Sequence, residues 1–268
     1  MNNRYMSGAP ACFIGLISFI AAAVLFFIRP VFAILVLSVF IVLCLTAPFL
    51  PGTGIFLPVI RRGSRRHQTI AITFDDGPDP RTTPMLLKVL AERDLPATFF
   101  VIGGKAQKHP DIINAILNAG HCIGNHTYKH DVLVMLKSGA RLAREIDDAQ
   151  EILKTFGIQP LIFRPPAGVV NPRLGPLLSQ RGMSCVHFSC RAPDMGNRRI
   201  RGMAGKILKK IEPGDIVLLH DSYPDSVGFQ ARLWLAEIEK ILDGFSEKGL
   251  RVVPLSDLIR RPVMKNHF

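Results

Sequence analysis

The sequence predicts an α/β fold, a parallel sheet of about seven β/α units that suits a barrel, preceded by a hairpin of two transmembrane helices. Three observations carry this. Short apolar runs alternate with helical patterns from residue 69 onward, a long apolar stretch with a single charge precedes them, and polar residues recur where the apolar runs end.

The N-terminal stretch comes first. From Ala11 to Leu50 the only charged residue is Arg29. The stretch divides into ACFIGLISFIAAAVLFFI (11–28) and VFAILVLSVFIVLCL (31–45), the second running on to Leu50. A bilayer span needs about 20 apolar residues, and one unbroken helix here would be roughly 60 Å long, twice the hydrocarbon thickness. Pro30, beside the lone charge, marks the turn of a hairpin. A cleaved signal peptide would have a shorter apolar region, a small-residue cleavage site and no second span. No A-x-A pattern precedes the polar part, so residues 1–50 read as an uncleaved, two-span membrane anchor. Arg4 flanks one end and Arg61, Arg62, Arg65 and Arg66 the other, which leaves only Arg29 for the turn. The positive-inside rule then places the main domain on the cytoplasmic side of an inner membrane, and one span plus one cleaved segment would reverse it.

Beyond residue 50, 31 basic and 21 acidic residues leave a surplus of +10. After an anchor, lipid headgroups or an anionic substrate account for such a surplus, and no nucleic-acid recognition motif accompanies it. Cys12, Cys44, Cys122, Cys185 and Cys190 show no CxxC spacing. The last three fall in strand-like runs and read as buried free thiols. Residues 51–67, ending in RRGSRRH, read as a basic linker, 68–260 as the main domain and 261–268 as a tail.

Within the main domain the strand-like runs are TIAITF (69–74), ATFFVIG (97–103), HCIGNH (121–126), LIFRPP (161–166), MSCVHFSC (183–190), DIVLLHD (215–221) and LRVVPL (250–255). Helical patterns at 82–94, 110–120, 138–157, 171–182, near 198–212 and at 229–249 separate them, and several end in Gly, a usual helix stop. Continuous apolar strands imply a sheet covered on both faces. In such barrels catalytic groups gather at the C-terminal strand ends. Asp75 and Asp76 end the first run, His126 the third, Arg164 the fourth, His220 and Asp221 the sixth, and Asp194 follows the fifth.

His126 and His130 are four apart, so one tight loop or helical turn puts both imidazoles on one side. A surface His pair alone is a weak signal. A third ligand strengthens it, because two imidazoles and one carboxylate with a position left for water make a hydrolytic zinc site. Residue 127 is Thr, so this is not HExxH, and the base must come from elsewhere. The pair in TFDDGPDP can supply both needs, one carboxylate for the metal and one for the water.

TFDDGPD, HTYKH, FRPPAG and IVLLHD, in this order and spacing, resemble the motifs of the polysaccharide deacetylases (carbohydrate esterase family 4, the NodB-like domain), over roughly residues 68–258. The resemblance implies a distorted (β/α)7 barrel and metal-dependent removal of an acyl group, most commonly acetyl, from an N-acylated amino sugar. By motif, Asp76, His126 and His130 would hold the metal, usually zinc in the family, with cobalt or nickel also compatible with the ligand types. Asp75 would be the general base, Arg164 would pair with it and aim it, and His220 would be the general acid. Ala167 would offer its backbone N–H to the oxyanion, Leu218 would line the acyl pocket, and Asp194 would tune His220.

Other polar residues read as scaffold. Asp79, before a proline, is a turn residue. His121 is a partly buried structural histidine, Asn125 and Thr127 brace the ligand loop, and Phe99 and Phe100 are core. Two departures from the family pattern concern the cleft. Ala167 stands where RPPYG has an aromatic, and RAPDM (191–195) replaces a DxxDW-like motif. Arg191, with Arg198, Arg199 and Arg201, would meet a phosphate or other anion, or form a solvated basic loop. The expected substrate is an amino-sugar glycan, membrane-proximal or lipid-linked. The alternatives are a periplasm-facing peptidoglycan or exopolysaccharide deacetylase and an inactive carbohydrate-binding barrel.

Overall fold

The computed structural model describes residues 10–50, 52, 54–224 and 230–266. Arg4, which the orientation argument uses, Phe229, which opens the last expected long helix, and the end of the expected tail lie outside the described residues.

Helix α1 (Pro10–Ile28) and helix α2 (Pro30–Thr46) form the apolar hairpin. Arg29 between them is extended, with φ −153° and ψ 112°, and Pro30 opens the second helix, where its missing N–H costs nothing. The helices pack on each other through Phe19 and Phe40, ring centroids 6.1 Å apart. Gly15 lets the Phe40 ring approach, since a Cβ there would lie 3.0 Å from it. Their outer faces stay apolar and exposed, Phe27 by 88%. Both helices are long and apolar enough to cross a membrane. The hairpin joins the rest of the chain at its open end, where the Ala11 N–H donates to Ile55 O at 3.0 Å and Val170 N–H to Pro48 O at 3.1 Å.

The remaining elements are β1 (Val59–Ile60), β2 (Thr69–Gly77), α3 (Thr83–Ala91), β3 (Ala97–Val101), α4 (Gly103–Lys108), α5 (Pro110–Asn118), β4 (Cys122–Asn125), α6 (Gly139–Lys154), β5 (Ile158–Pro160), β6 (Ile162–Phe163), α7 (Leu174–Gln180), β7 (Ser184–Val186), β8 (Cys190–Arg191), α8 (Met203–Leu208), β9 (Ile216–His220), α9 (Ala231–Glu247), β10 (Arg251–Val252), α10 (Leu255–Ile259) and β11 (Met264–Asn266). One parallel sheet runs β1-β7-β6-β4-β3-β2-β9-β8, with β10 beside the start of β2. The helices cover its outer face, as a distorted (β/α)7 barrel requires.

The expected runs become strands with three differences. Run 183–190 splits into β7 and β8, because Ser189 turns toward β9, its hydroxyl donating to Asp215 at 2.7 Å. Residues 59–62, expected as linker, instead complete the sheet. Strand β1 pairs with β7, and Arg62 just beyond it bridges Asp215 at the foot of β9. Part of the expected tail forms β11, antiparallel to β5. Among the cysteines all five are free, and Cys122 is half-buried, unlike buried Cys185 and Cys190.

Strand β2 shows how the pattern builds the core. Ile70, Ile72 and Phe74 face the helix layer with Leu86, Val89 and Trp234. Ala71, Thr73 and Asp75 alternate with them and face inward. Inside, Ala71 packs with Phe100, Ile162 and Ile216, and Leu255 and Leu258 of α10 plug the floor. The opposite, C-terminal strand ends stay open.

The Arg62–Asp215 pair, 2.8 Å long with the Asp215 side chain 1% exposed, closes the sheet at its foot. Arg62→Ala is expected to cost about 1–3 kcal/mol of stability by leaving a buried carboxylate short of a partner. Arg65→Ala, on a side chain 61% exposed, should change it by less than about 0.5 kcal/mol. Urea unfolding of the detergent-solubilised chain, followed by circular dichroism, compares the two, and equal losses would remove this role from Arg62.

Candidate active site

The open strand ends surround a cavity of about 330 Å³. Asp75, Asp76, His126, His130, Arg164, Ala167, Leu218 and His220 all line it. Asp194 stands behind His220. Residues from five separate strand ends therefore meet in one place.

Adjacent residues in a strand point to opposite faces, so Asp75 and Asp76 could not share a site on a regular β2. A β-bulge resolves this. Asp75 pairs with Phe100 and Gly77 with Val101, leaving Asp76 unpaired between them with φ 71°. The bulge turns Asp76 back toward the cavity. Gly77 follows because a Cβ there would lie 2.4 Å from a carboxylate oxygen of Asp221.

Asp76 Oδ1 lies 3.0 Å from His130 Nε2 and 3.4 Å from His126 Nε2. Donors bound tetrahedrally at about 2.0–2.1 Å from one ion stand roughly 3.4 Å apart, so this spacing fits a metal ion. All three ligand atoms lie within 4.8 Å of one another. His126 Nδ1 is 2.7 Å from Arg164 O, and donating its proton there leaves Nε2 with a free lone pair facing Asp76. The loop is braced from below. Asn125 Nδ2 donates to Ile146 O at 3.0 Å, Thr127 N–H to Asn125 Oδ1 at 2.9 Å, and His130 N–H to Thr127 Oγ1 at 3.1 Å.

Arg164 is buried, 1% exposed, yet its donors are engaged. Nη1 donates to Asp75 Oδ1 at 2.6 Å and Thr73 Oγ1 at 2.8 Å, Nη2 to His187 O at 2.9 Å and Nε to Val186 O at 3.2 Å. The Phe100 ring lies 3.9 Å beneath the guanidinium. On the other side His220 Nδ1 lies 2.6 Å from Asp194 Oδ2.

The charges follow from these contacts. Burial alone would disfavour the Asp76 carboxylate, but the adjacent His126 and His130 imidazoles hold it well below the usual range. Burial would likewise lower His126, and Asp75 and Asp76 together raise it. His220 is pushed up to about 9, because Asp194 outweighs the burial that would lower it. The arrangement can hold a cation, accept a proton at one wall and deliver one at the other.

Some expected polar residues lie elsewhere. Asp221 turns away from the cavity, accepting from Thr82 Oγ1 at 2.7 Å and Thr83 Oγ1 at 2.6 Å, and burial lifts its pKa to about 7. Asp79 accepts from the N–H groups of Arg81 and Thr82, as a turn residue does. His121 is 6% exposed against the Phe99 ring, its pKa lowered by burial. Arg191 and Arg198 line the cavity, whereas Arg199 and Arg201 do not. Two contributors lay outside the sequence reading: Thr73, which accepts from Arg164, and Asn197, which donates to His220 O at 2.9 Å and Ser222 O at 2.8 Å. Neither has a local signal, since only the folded register brings them to the site. An open groove of about 710 Å³, edged by Lys105, Lys108, Lys129 and Arg198, adjoins the metal side.

Comparison with known proteins agrees with this geometry. The polysaccharide deacetylase profile matches residues 62–186. A peptidoglycan-N-acetylglucosamine deacetylase of Bacillus cereus is 36% identical over 196 residues, covering 72% of this chain and 89% of that protein. A chitooligosaccharide deacetylase of Azorhizobium caulinodans is 31% identical over 205 residues, covering 72% of this chain and 96% of the relative. Among solved structures, the Bc1960 peptidoglycan N-acetylglucosamine deacetylase superposes with a TM-score of 0.69 at 30% identity, covering 76% of this chain and 94% of that one. The family 4 carbohydrate esterase from Streptomyces lividans gives a TM-score of 0.60 at 28% identity, covering 69% of this chain and 91% of that one. The chain belongs to the polysaccharide deacetylase family.

Proposed function

We propose that the protein is a membrane-anchored, metal-dependent sugar N-deacetylase acting on a membrane-proximal or lipid-linked amino-sugar glycan, with its catalytic domain on the cytoplasmic side. One observation carries the reading beyond the family. The acid, base and ligand groups converge on a cavity whose Ala167 wall lies three residues before Val170, which is hydrogen-bonded to Pro48 at the foot of the apolar hairpin. A site held that close to two membrane-length helices favours substrate at the bilayer surface.

In this reading Asp76, His126 and His130 would hold a divalent cation, zinc by donor type, which when bound would supply Lewis acidity. Asp75, aimed by Arg164, takes a proton from the attacking water. The Ala167 N–H, in a turn with φ 54°, donates to the oxyanion. Leu218 packs against the acyl methyl. His220 gives its proton to the departing sugar nitrogen as the C–N bond breaks, and acetate is released. Asp194 acts through His220 as a positioning residue.

A second reading, a deacetylase of polymeric peptidoglycan, draws on the names of the relatives and on the open groove beside the metal side. Acetate release from lipid-linked, oligomeric and polymeric N-acetylated sugars, with and without chelator, separates the two. Reporters fused to each end of the chain test the orientation.

Asp75→Asn should lower acetate release by about 10²–10⁴-fold while the bound metal, measured by elemental analysis, stays at the wild-type level. A wild type that binds sugar but releases no acetate would leave only a carbohydrate-binding barrel. Asp194→Asn tests the acid. Activity requires protonated His220, so it is lost as pH rises through that group's pKa. Removing the anion that raises this pKa should move the alkaline limb of the pH–rate profile to lower pH. An unmoved limb would assign that limb to another group.

A further inference from the structure

We propose that a second cavity, between the foot of α2 and the catalytic pocket, is a phosphate subsite that takes the phosphodiester or diphosphate of a lipid-linked amino sugar. The inference rests on the deacetylase reading and names the substrate class of that same site.

The cavity measures about 360 Å³. Phe49, Arg61, His187, Arg191 and Lys210 line it, and no acidic residue does. Ala167, Gly168, Phe188 and Arg191 line both this cavity and the catalytic pocket, so the two share a wall. Phe188 organises two of the cations: Arg61 Nε donates to its carbonyl at 3.3 Å, and the Arg191 guanidinium lies 5.2 Å from its ring centroid. Among the described residues, Arg61, Arg191 and Lys210 have no carboxylate within ion-pair distance. Their sequence neighbours do, Arg62 bridging Glu212 and Asp215 and Arg65 bridging Glu212. The basic run is thus sorted, with Arg62 sealing the sheet and Arg61 left for the cavity. His187 adds a neutral donor or acceptor. It is 1% exposed, and its Nε2 has no hydrogen-bond partner among the described residues.

Sugar chemistry explains why such a cavity belongs here. In a 2-acetamido sugar the anomeric oxygen sits on the carbon next to the one bearing the amide. With the amide in the catalytic pocket, an anomeric phosphate lies one carbon away, within reach of a cavity that shares a wall with that pocket. Arg is suited to phosphate, donating two parallel N–H bonds. A lipid chain leaving that phosphate would pass Phe49, 69% exposed at the end of the hairpin. Apolar side chains also stand exposed around the catalytic pocket. Among the described residues beyond Leu50, the exposed large hydrophobics are Val132, Leu133, Leu136 and Met195. Val132 and Met195 line the catalytic pocket. The turn carrying Leu136 is tied by Asn171 Nδ2 to Met135 O at 2.6 Å, next to the Val170–Pro48 bond.

The test uses the full chain in phosphatidylcholine nanodiscs. Binding and acetate release are measured with farnesyl-diphospho-N-acetylglucosamine and with octyl N-acetylglucosaminide, which carries a lipid and the same sugar but no phosphate. Wild type should bind the diphosphate probe at least about 10-fold more tightly. The Arg61→Gln, Lys210→Gln pair should reduce that preference to within about 2-fold, and Arg61→Lys, Lys210→Arg should retain it. No preference in the wild type, or one that survives the Gln pair, overturns the proposal. Repeating the measurement in phosphatidylglycerol nanodiscs distinguishes the source of the phosphate: a preference abolished by the anionic lipid makes the cavity a headgroup site and also overturns it. A retained preference with no acetate released from either probe removes the deacetylase reading and leaves the phosphate subsite standing.

Discussion

The buried guanidinium of Arg164 is the constraint on which the other parts of the site depend. A cation removed from water survives only if its donors are satisfied, and breaking such a pair by deleting one partner typically costs about 3–5 kcal/mol. Here satisfaction requires β2, β6 and β7 to be in register, because Thr73 and Asp75 come from the first and the Val186 and His187 carbonyls from the last. Arg164 also takes part through its backbone, donating to Asn125 O and accepting from His126 Nδ1. One residue thereby fixes the proposed base and the tautomer of a proposed metal ligand. Misplacing it would disturb both halves of the site together.

Around this centre the backbone adopts conformations that L-residues usually avoid. Asp76, His130, Ala167 and Met195 have left-handed φ values of 71°, 56°, 54° and 54°, and all four line the cavity. Left-handed backbone at a non-glycine residue costs about 1–3 kcal/mol and persists only where the surroundings over-determine it. The surroundings here are identifiable: the bulge for Asp76, the Thr127 hydroxyl for His130, and the tight Pro166–Gly168 turn for Ala167. Three of these four positions aim a carboxylate, an imidazole and a backbone N–H into one volume.

Much of this was legible in the chain because the relevant rule is local. A strand ends, and a polar residue stands at the end. That rule found Asp75, Asp76, His126, Arg164 and His220 without knowledge of how the strands pair. It misassigned Asp221, because one residue decides whether a side chain faces the pocket or the Thr82 and Thr83 hydroxyls, and strand-end position alone cannot count that finely. The bulge at Asp76 depends on the register with β3, and Thr73 and Asn197 depend on contacts 91 and 23 residues away in the chain. The basic run at 61–66 was legible as charge but not as architecture. Composition cannot tell Arg61 from Arg62, and the fold sends them to different partners.

The two proposed proton-handling groups have opposite neighbours. Asp75 faces a guanidinium and His220 faces a carboxylate, and that carboxylate helps lift His220 to about 9. The hairpin imposes a further asymmetry. It meets the barrel beside the Ala167 turn and not beside the open groove of Lys105, Lys108 and Lys129, so the two approaches to the metal side and the oxyanion side differ in kind. One approach is edged by lysines in an open groove; the other is cationic and bordered by Phe49 at the end of the hairpin. The proposed phosphate subsite draws on that asymmetry, since a lipid-borne sugar phosphate would meet Phe49 and the cations of the second approach at once.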